Sequence, residues 1–109
     1  MVASATRVNV LSVTASATPT IATAATWVPS GFRISTPAVF ASAGYLVAGG
    51  TDRRLHRVSL TTGADQAQSA LITTQAPGGV ILAQPMFDSA SSRYLFGTDD
   101  GHVWALPTF

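Results

Sequence analysis

The chain has 109 residues, is 47% hydrophobic and carries a formal net charge of +1 with only 10% charged residues. So even and sparse a charge gives no electrostatic footprint for nucleic acid or an anionic membrane surface, and the length allows one domain at most. Cysteine is absent, which excludes disulfides and thiol chemistry, and no apolar run approaches the length needed to span a bilayer.

Apolar runs of four to six residues, rich in Val, Ile, Leu, Thr and aromatics and bounded by Gly, Pro, Ser and Asp, follow one another along the chain. That is the pattern of strands and hairpins, and no stretch sustains a helical period. All six basic residues are Arg and all five acidic ones Asp, so the Lys and Glu typical of exposed helix faces are missing. In chain order the predicted strands are 7–14, 21–28, 34–40, 45–49, 55–60, 70–75, 82–87, 94–97 and 102–106. Residues 14–26, Ala/Thr/Ser-rich with Pro19, are read as a loop leading into the second of these. Asp100-Gly101 is the dipeptide that a tight hairpin turn requires. No targeting signal is visible at the N-terminus; one is expected only upstream of this segment.

The order of elements repeats. Pro29-Ser30-Gly31 through Pro37 returns as Pro77-Gly78-Gly79 through Pro85, a spacing of 48 residues. Holding that offset over 7–37 also matches Val10 with Val58, Thr14 with Thr62, Ala22 with Ala70 and Thr26 with Thr74. Downstream, 45–58 echoes 94–106, with one-residue adjustments in the turns. A period in this range marks blades, solenoids or arrays. With the four strands of a unit lettered A to D, the chain reads C-D over 7–28, a complete A-B-C-D over 34–75, and A-B-C over 80–106. Tyr45-Leu46-Val47-Ala48 and Val103-Trp104-Ala105-Leu106 are apolar on both faces, so their sheets must be covered on both sides. A radial stack of four-stranded blades meets that demand.

The run Tyr-Leu-Phe-Gly-Thr-Asp-Asp-Gly-His-Val-Trp-Ala-Leu at 94–106, with Thr62-Gly63 closing the preceding C strand, resembles the repeat of quinoprotein-type (PQQ-like) β-propellers. The copy at 45–63 carries Arg53-Arg54 where that family's turn has Asp-Gly. Trp27 stands where such repeats carry a docking Trp in strand D, while the same position of the next unit is Gln75. The resemblance implies an all-β partial propeller over 1–109, an extracytoplasmic location, and a non-catalytic binding or structural module for protein–protein or surface assembly. Its partner would be another protein, the remaining blades of a longer chain, or further copies of itself. A piece of a longer polypeptide is the expectation, since a propeller closes with about four to eight blades.

Two alternatives stand beside this. Some members of the family are dehydrogenases that bind pyrroloquinoline quinone and calcium, but their adjacent cysteines and acidic ligands have no counterparts here, and the lone Asn9 lies in the weakest unit. No catalytic residue, cofactor or metal ligand is therefore assigned. An immunoglobulin-like sandwich also suits a chain of this length with many short strands, but it predicts no 48-residue self-similarity.

Because successive strands reverse, the B–C and D–A connections share one rim. Asp52, Arg53 and Arg54 in one B–C turn and Asp99 and Asp100 in the next gather there, and this is the candidate binding rim. The plainer reading is that polar turns are polar and that Asp-Gly is hairpin chemistry. His56 and His102, the only histidines, are expected to be packing or hairpin residues, and Trp27 and Trp104 core aromatics.

Overall fold

The computed structural model describes residues 1–4, 6–14, 17–18, 20–70, 72, 83–98 and 101–109. Among them the chain is all-β, with one 3-10 turn at Ala41–Ala43 and no α-helix. The strands are β1 (Val2–Ser4), β2 (Arg7–Thr14), β3 (Thr20–Trp27), β4 (Ala38–Phe40), β5 (Tyr45–Gly49), β6 (Leu55–Ser59), β7 (Asp65–Gln68), β8 (Met86–Asp88), β9 (Arg93–Gly97) and β10 (Val103–Pro107). They form three open antiparallel sheets: β1-β2-β3, a central β4-β5-β6-β7 and β10-β9-β8.

Strand for strand, the third sheet reproduces the central one at an offset of 48 residues. Ala38 opposite Val47 becomes Met86 opposite Leu95, Leu46 opposite Val58 becomes Tyr94 opposite Leu106, and Ala48 opposite His56 becomes Phe96 opposite Trp104. The turns repeat too. Gly50 N–H donates to the Arg54 carbonyl at 2.9 Å, and Thr98 N–H to the His102 carbonyl at 3.0 Å. Arg53 N–H closes on the Gly50 carbonyl at 3.0 Å, and Gly101 N–H on the Thr98 carbonyl at 3.2 Å. The expected one-residue adjustments in these turns are absent: the spacing is constant from β4 to β6.

The central sheet is covered on both faces. Leu46, Ala48 and Val58 pack with Val8, Trp27 and Ile34 on the side of the first sheet. On the other side Val47 and Leu55 pack with Ile72, Tyr94 and Phe96, flanked by Phe40, Tyr45, Trp104, Leu106 and Phe109. Alternation along each strand explains the division, because neighbouring residues point to opposite faces. Full burial of one such aliphatic or aromatic side chain contributes about 1.5–3 kcal/mol, so apolar residues on both faces of β5 hold three layers together.

Three expectations are corrected. The fourth strand of the central sheet is Asp65–Gln68 and not 70–75; Ala70 and Ile72 are not in a strand, and the rest of that span lies outside the described residues. The chain turns back immediately after β6 through Gly63, whose N–H donates to the Ser59 carbonyl, so polar residues take the edge position. Second, the 48-residue offset does not extend into the first sheet. His56 of β6 points toward the first sheet, whereas Val8 of β2, 48 positions earlier, points toward the central one. A one-residue slip turns every side chain over, so the matches of Val10 and Thr14 with Val58 and Thr62 are not structural equivalences. Third, Trp27 pairs with Val8 and Gln68 with His56, so Gln75 is not the counterpart of Trp27. β1 was not anticipated. The strand expected over 34–40 contracts to Ala38–Phe40, with Ile34 making an isolated bridge to Gly50. The one expected over 82–87 is Met86–Asp88.

Candidate functional site

The B–C turn of the central sheet, Gly50–Arg54, lies beside the segment that enters β4. Thr51 N–H donates to the Arg33 carbonyl at 2.8 Å, Arg33 N–H to Thr51 Oγ1 at 3.0 Å, and Ser35 N–H to the Gly49 carbonyl at 2.7 Å. The shared rim expected from strand reversal is thus formed by this first copy. The D–A counterpart at 77–79, and the candidate rim residues Asp99 and Asp100, lie outside the described residues.

Within the turn the three candidate residues Asp52, Arg53 and Arg54 are half-buried. Asp52 reaches inward: its Oδ2 is 2.8 Å from His56 Nε2, and its Oδ1 accepts the Arg54 N–H at 3.3 Å. Arg54 Nη1 donates to the Ser69 carbonyl at 2.8 Å, which ties the turn to the chain just after β7. Arg53 takes the left-handed position of the turn, with φ 66°, and its carbonyl accepts the Ile72 N–H at 3.0 Å. Asp52 and Arg54 therefore build the turn as well as decorate it.

Behind the turn is an arrangement that sequence reasoning missed. His56 is fully buried and carries a carboxylate at each ring nitrogen, Asp52 Oδ2 at 2.8 Å from Nε2 and Asp65 Oδ2 at 2.7 Å from Nδ1. Two acceptors are both satisfied only when both nitrogens carry hydrogen. The ring stacks on Phe32, centroids 4.6 Å apart and planes 15° from parallel, and lies 5.7 Å from Trp27. The two carboxylates stand at opposite ends of the imidazole and so do not converge on one point. Among the described residues no group of three or more His, Cys, Asp or Glu is placed to hold a metal ion. Chemically the triad is a clamp between turn, β6 and β7. Nothing in the residue spacing signals Asp65, because its approach depends on a bulge between Arg57 and Val58 in the β6–β7 pairing.

In the third sheet the equivalent of His56 is Trp104, whose Nε1 donates to Thr98 Oγ1 at 3.2 Å, and His102 lies beside that indole at 6.4 Å. Two further polar groups join the layers. The Tyr45 and Tyr94 hydroxyls meet at 3.4 Å between the central and third sheets, and Arg57 lies 5.4 Å over the Tyr45 ring while donating to the Phe109 carbonyl at 2.6 Å. Burial, and then the hydrogen bond with Tyr45, push the Tyr94 hydroxyl well above its ordinary range. At the A–B turn of the third sheet the Ser91 hydroxyl, followed by the Ala90 N–H, holds the Asp88 carboxyl below the usual carboxylate value.

Among the described residues no helix is long and apolar enough to cross a membrane. No family model, curated protein or solved structure matches the chain.

Proposed function

We propose that the chain is a partial β-propeller of PQQ-like repeats that works as a non-catalytic binding or structural module, a scaffold for protein–protein or surface assembly. One observation carries this reading: β8, β9 and β10 repeat β4, β5 and β6 in register at 48 residues, turn for turn, and the central sheet is packed on both faces. A unit built this way gains its stability from neighbours of its own kind and presents a rim of turns along the stack. The rim carrying Asp52, Arg53, Arg54, Asp99 and Asp100 is the surface offered to a partner, held rigid by the inward bonds of Asp52 and Arg54.

The competing reading within the same architecture is part of a quinone-dependent dehydrogenase. Purified protein titrated with pyrroloquinoline quinone and calcium is expected to show no dye-linked oxidation of alcohols or sugars and an unchanged melting temperature. Quinone-dependent turnover, or a quinone-induced rise in melting temperature, overturns the scaffold reading.

A further inference from the structure

The two ends of the three-sheet stack present different apolar faces. In the central sheet, the face bearing Val47 and Leu55 is buried by the third sheet. The register carries that face onto Leu95 and Val103, flanked by Met86 opposite Leu95. Val103 is nevertheless 81% exposed and Met86 64% exposed. At the other end, Leu11, Val13 and Ile21 lie on the side of the first sheet opposite Val8 and Trp27, with Val13 65% and Ile21 68% exposed. The exposed large hydrophobic residues fall in or beside the two terminal sheets, Val39 being the exception in the central one. Single exposed apolar residues are ordinary; faces of them at both ends of a stack are not.

From this we infer that copies of the chain associate head to tail, the outer face of the third sheet of one copy seating on the outer face of the first sheet of the next. The inference rests on the reading of the chain as a module whose sheets are built to be stacked. The internal junction between the central and third sheets sets the polarity: there the Val47/Leu55 face of one sheet meets the Tyr94/Phe96 face of the next, so unlike faces meet. Repeating that polarity between copies is a heterologous contact, not an isologous one. Charge allows it. On the same outward faces Arg7 of the first sheet would come to the end that carries Asp88 and Arg93, with no excess of like charge between them.

Sedimentation equilibrium of the 109-residue chain over a concentration series tests this, with Val103→Lys and Ile21→Lys as variants. Both positions are exposed, so each variant is expected to melt as the parent does. The parent is expected to give a weight-average mass that rises above the monomer, and each variant alone to lose most of that association. An equimolar mixture of the two is expected to recover a dimer, because each supplies the end the other lacks. A parent that stays monomeric throughout overturns the inference. So does a contact abolished by Val103→Lys and untouched by Ile21→Lys, which would mean that third sheets meet each other. Neither of those results involves quinone turnover, so the scaffold reading stands or falls separately.

Discussion

Arg53 and Gly101 hold the same place in two turns 48 residues apart, with φ of 66° and 84°. Each donates its N–H to the carbonyl three residues back, Gly50 in one case and Thr98 in the other. The exchange is mirrored at the A–B connection, where Gly44 at φ 78° corresponds to Ser92 at φ 55°. Each unit thus places one glycine and one larger residue at its two left-handed positions.

Left-handed backbone costs a residue with a Cβ roughly 1–2 kcal/mol, while glycine gives back about 0.5–1 kcal/mol through its freer unfolded chain. Gly101→Ala meets no atom within 4 Å, so its cost is that of the backbone alone, about 1 kcal/mol. Arg53→Gly is expected to be neutral or to stabilise by up to about 1 kcal/mol. Chemical denaturation of both variants checks this; a Gly101→Ala protein more stable than the parent would contradict the shared turn geometry.

Gly63 is a different case. It too is left-handed, at φ 73°, but a Cβ there would run into the backbone of Thr26 in the first sheet. Gly63→Ala is expected to cost about 3 kcal/mol or more, beyond the backbone term, because main chain must move at the junction of two sheets. Hydrogen exchange should show β2 and β3 losing protection before β5 and β9. Equal loss in all three sheets would argue against this contact as the site of damage.

His56 binds two acidic groups in a buried setting, and removing it leaves both without their partner and opens a void beside Phe32. His56→Ala is expected to destabilise by about 2–5 kcal/mol, and Asp65→Asn by less, since one hydrogen bond survives in altered form. A double-mutant cycle between these positions checks the coupling. Strict additivity would remove the clamp from the account.

Raising pH should weaken the protein through Tyr94. Its folded-state value lies above the unfolded value near 10, so the stability it contributes is complete below about pH 10 and falls as pH rises toward the folded value. Melting temperatures measured from pH 8 to 11.5 are expected to drop steeply for the parent and less so for Tyr94→Phe. Parallel curves would assign the alkaline loss elsewhere.

The hairpins β5–β6 and β9–β10 were legible in the sequence because Tyr45–Gly49 and Arg93–Gly97 are apolar runs closed by small turn residues. β7 was not. Asp65-Gln66-Ala67-Gln68 forms an edge strand through its backbone, and an exposed edge asks for no apolar side chains to announce it. The rim was legible as a cluster of charge, yet the inward turn of Asp52 toward His56 was hidden, since a turn's composition does not say which way its side chains face.

By itself the sequence determined the length of the repeating unit, the strand-turn-strand order and the need for cover on both faces of β5, all of which follow from local pattern and periodicity. Tertiary structure alone decided which face of the first sheet turns inward and how Asp65 reaches His56. The stretch Thr20-Ile21-Ala22-Thr23-Ala24-Ala25-Thr26-Trp27 carries too weak an alternation to choose a face, and a bulge in its pairing with β2 shifts the register midway. Only the docking of Val8 and Trp27 onto Leu46 and Val58 settles the choice, because burying that side removes the most apolar surface from water.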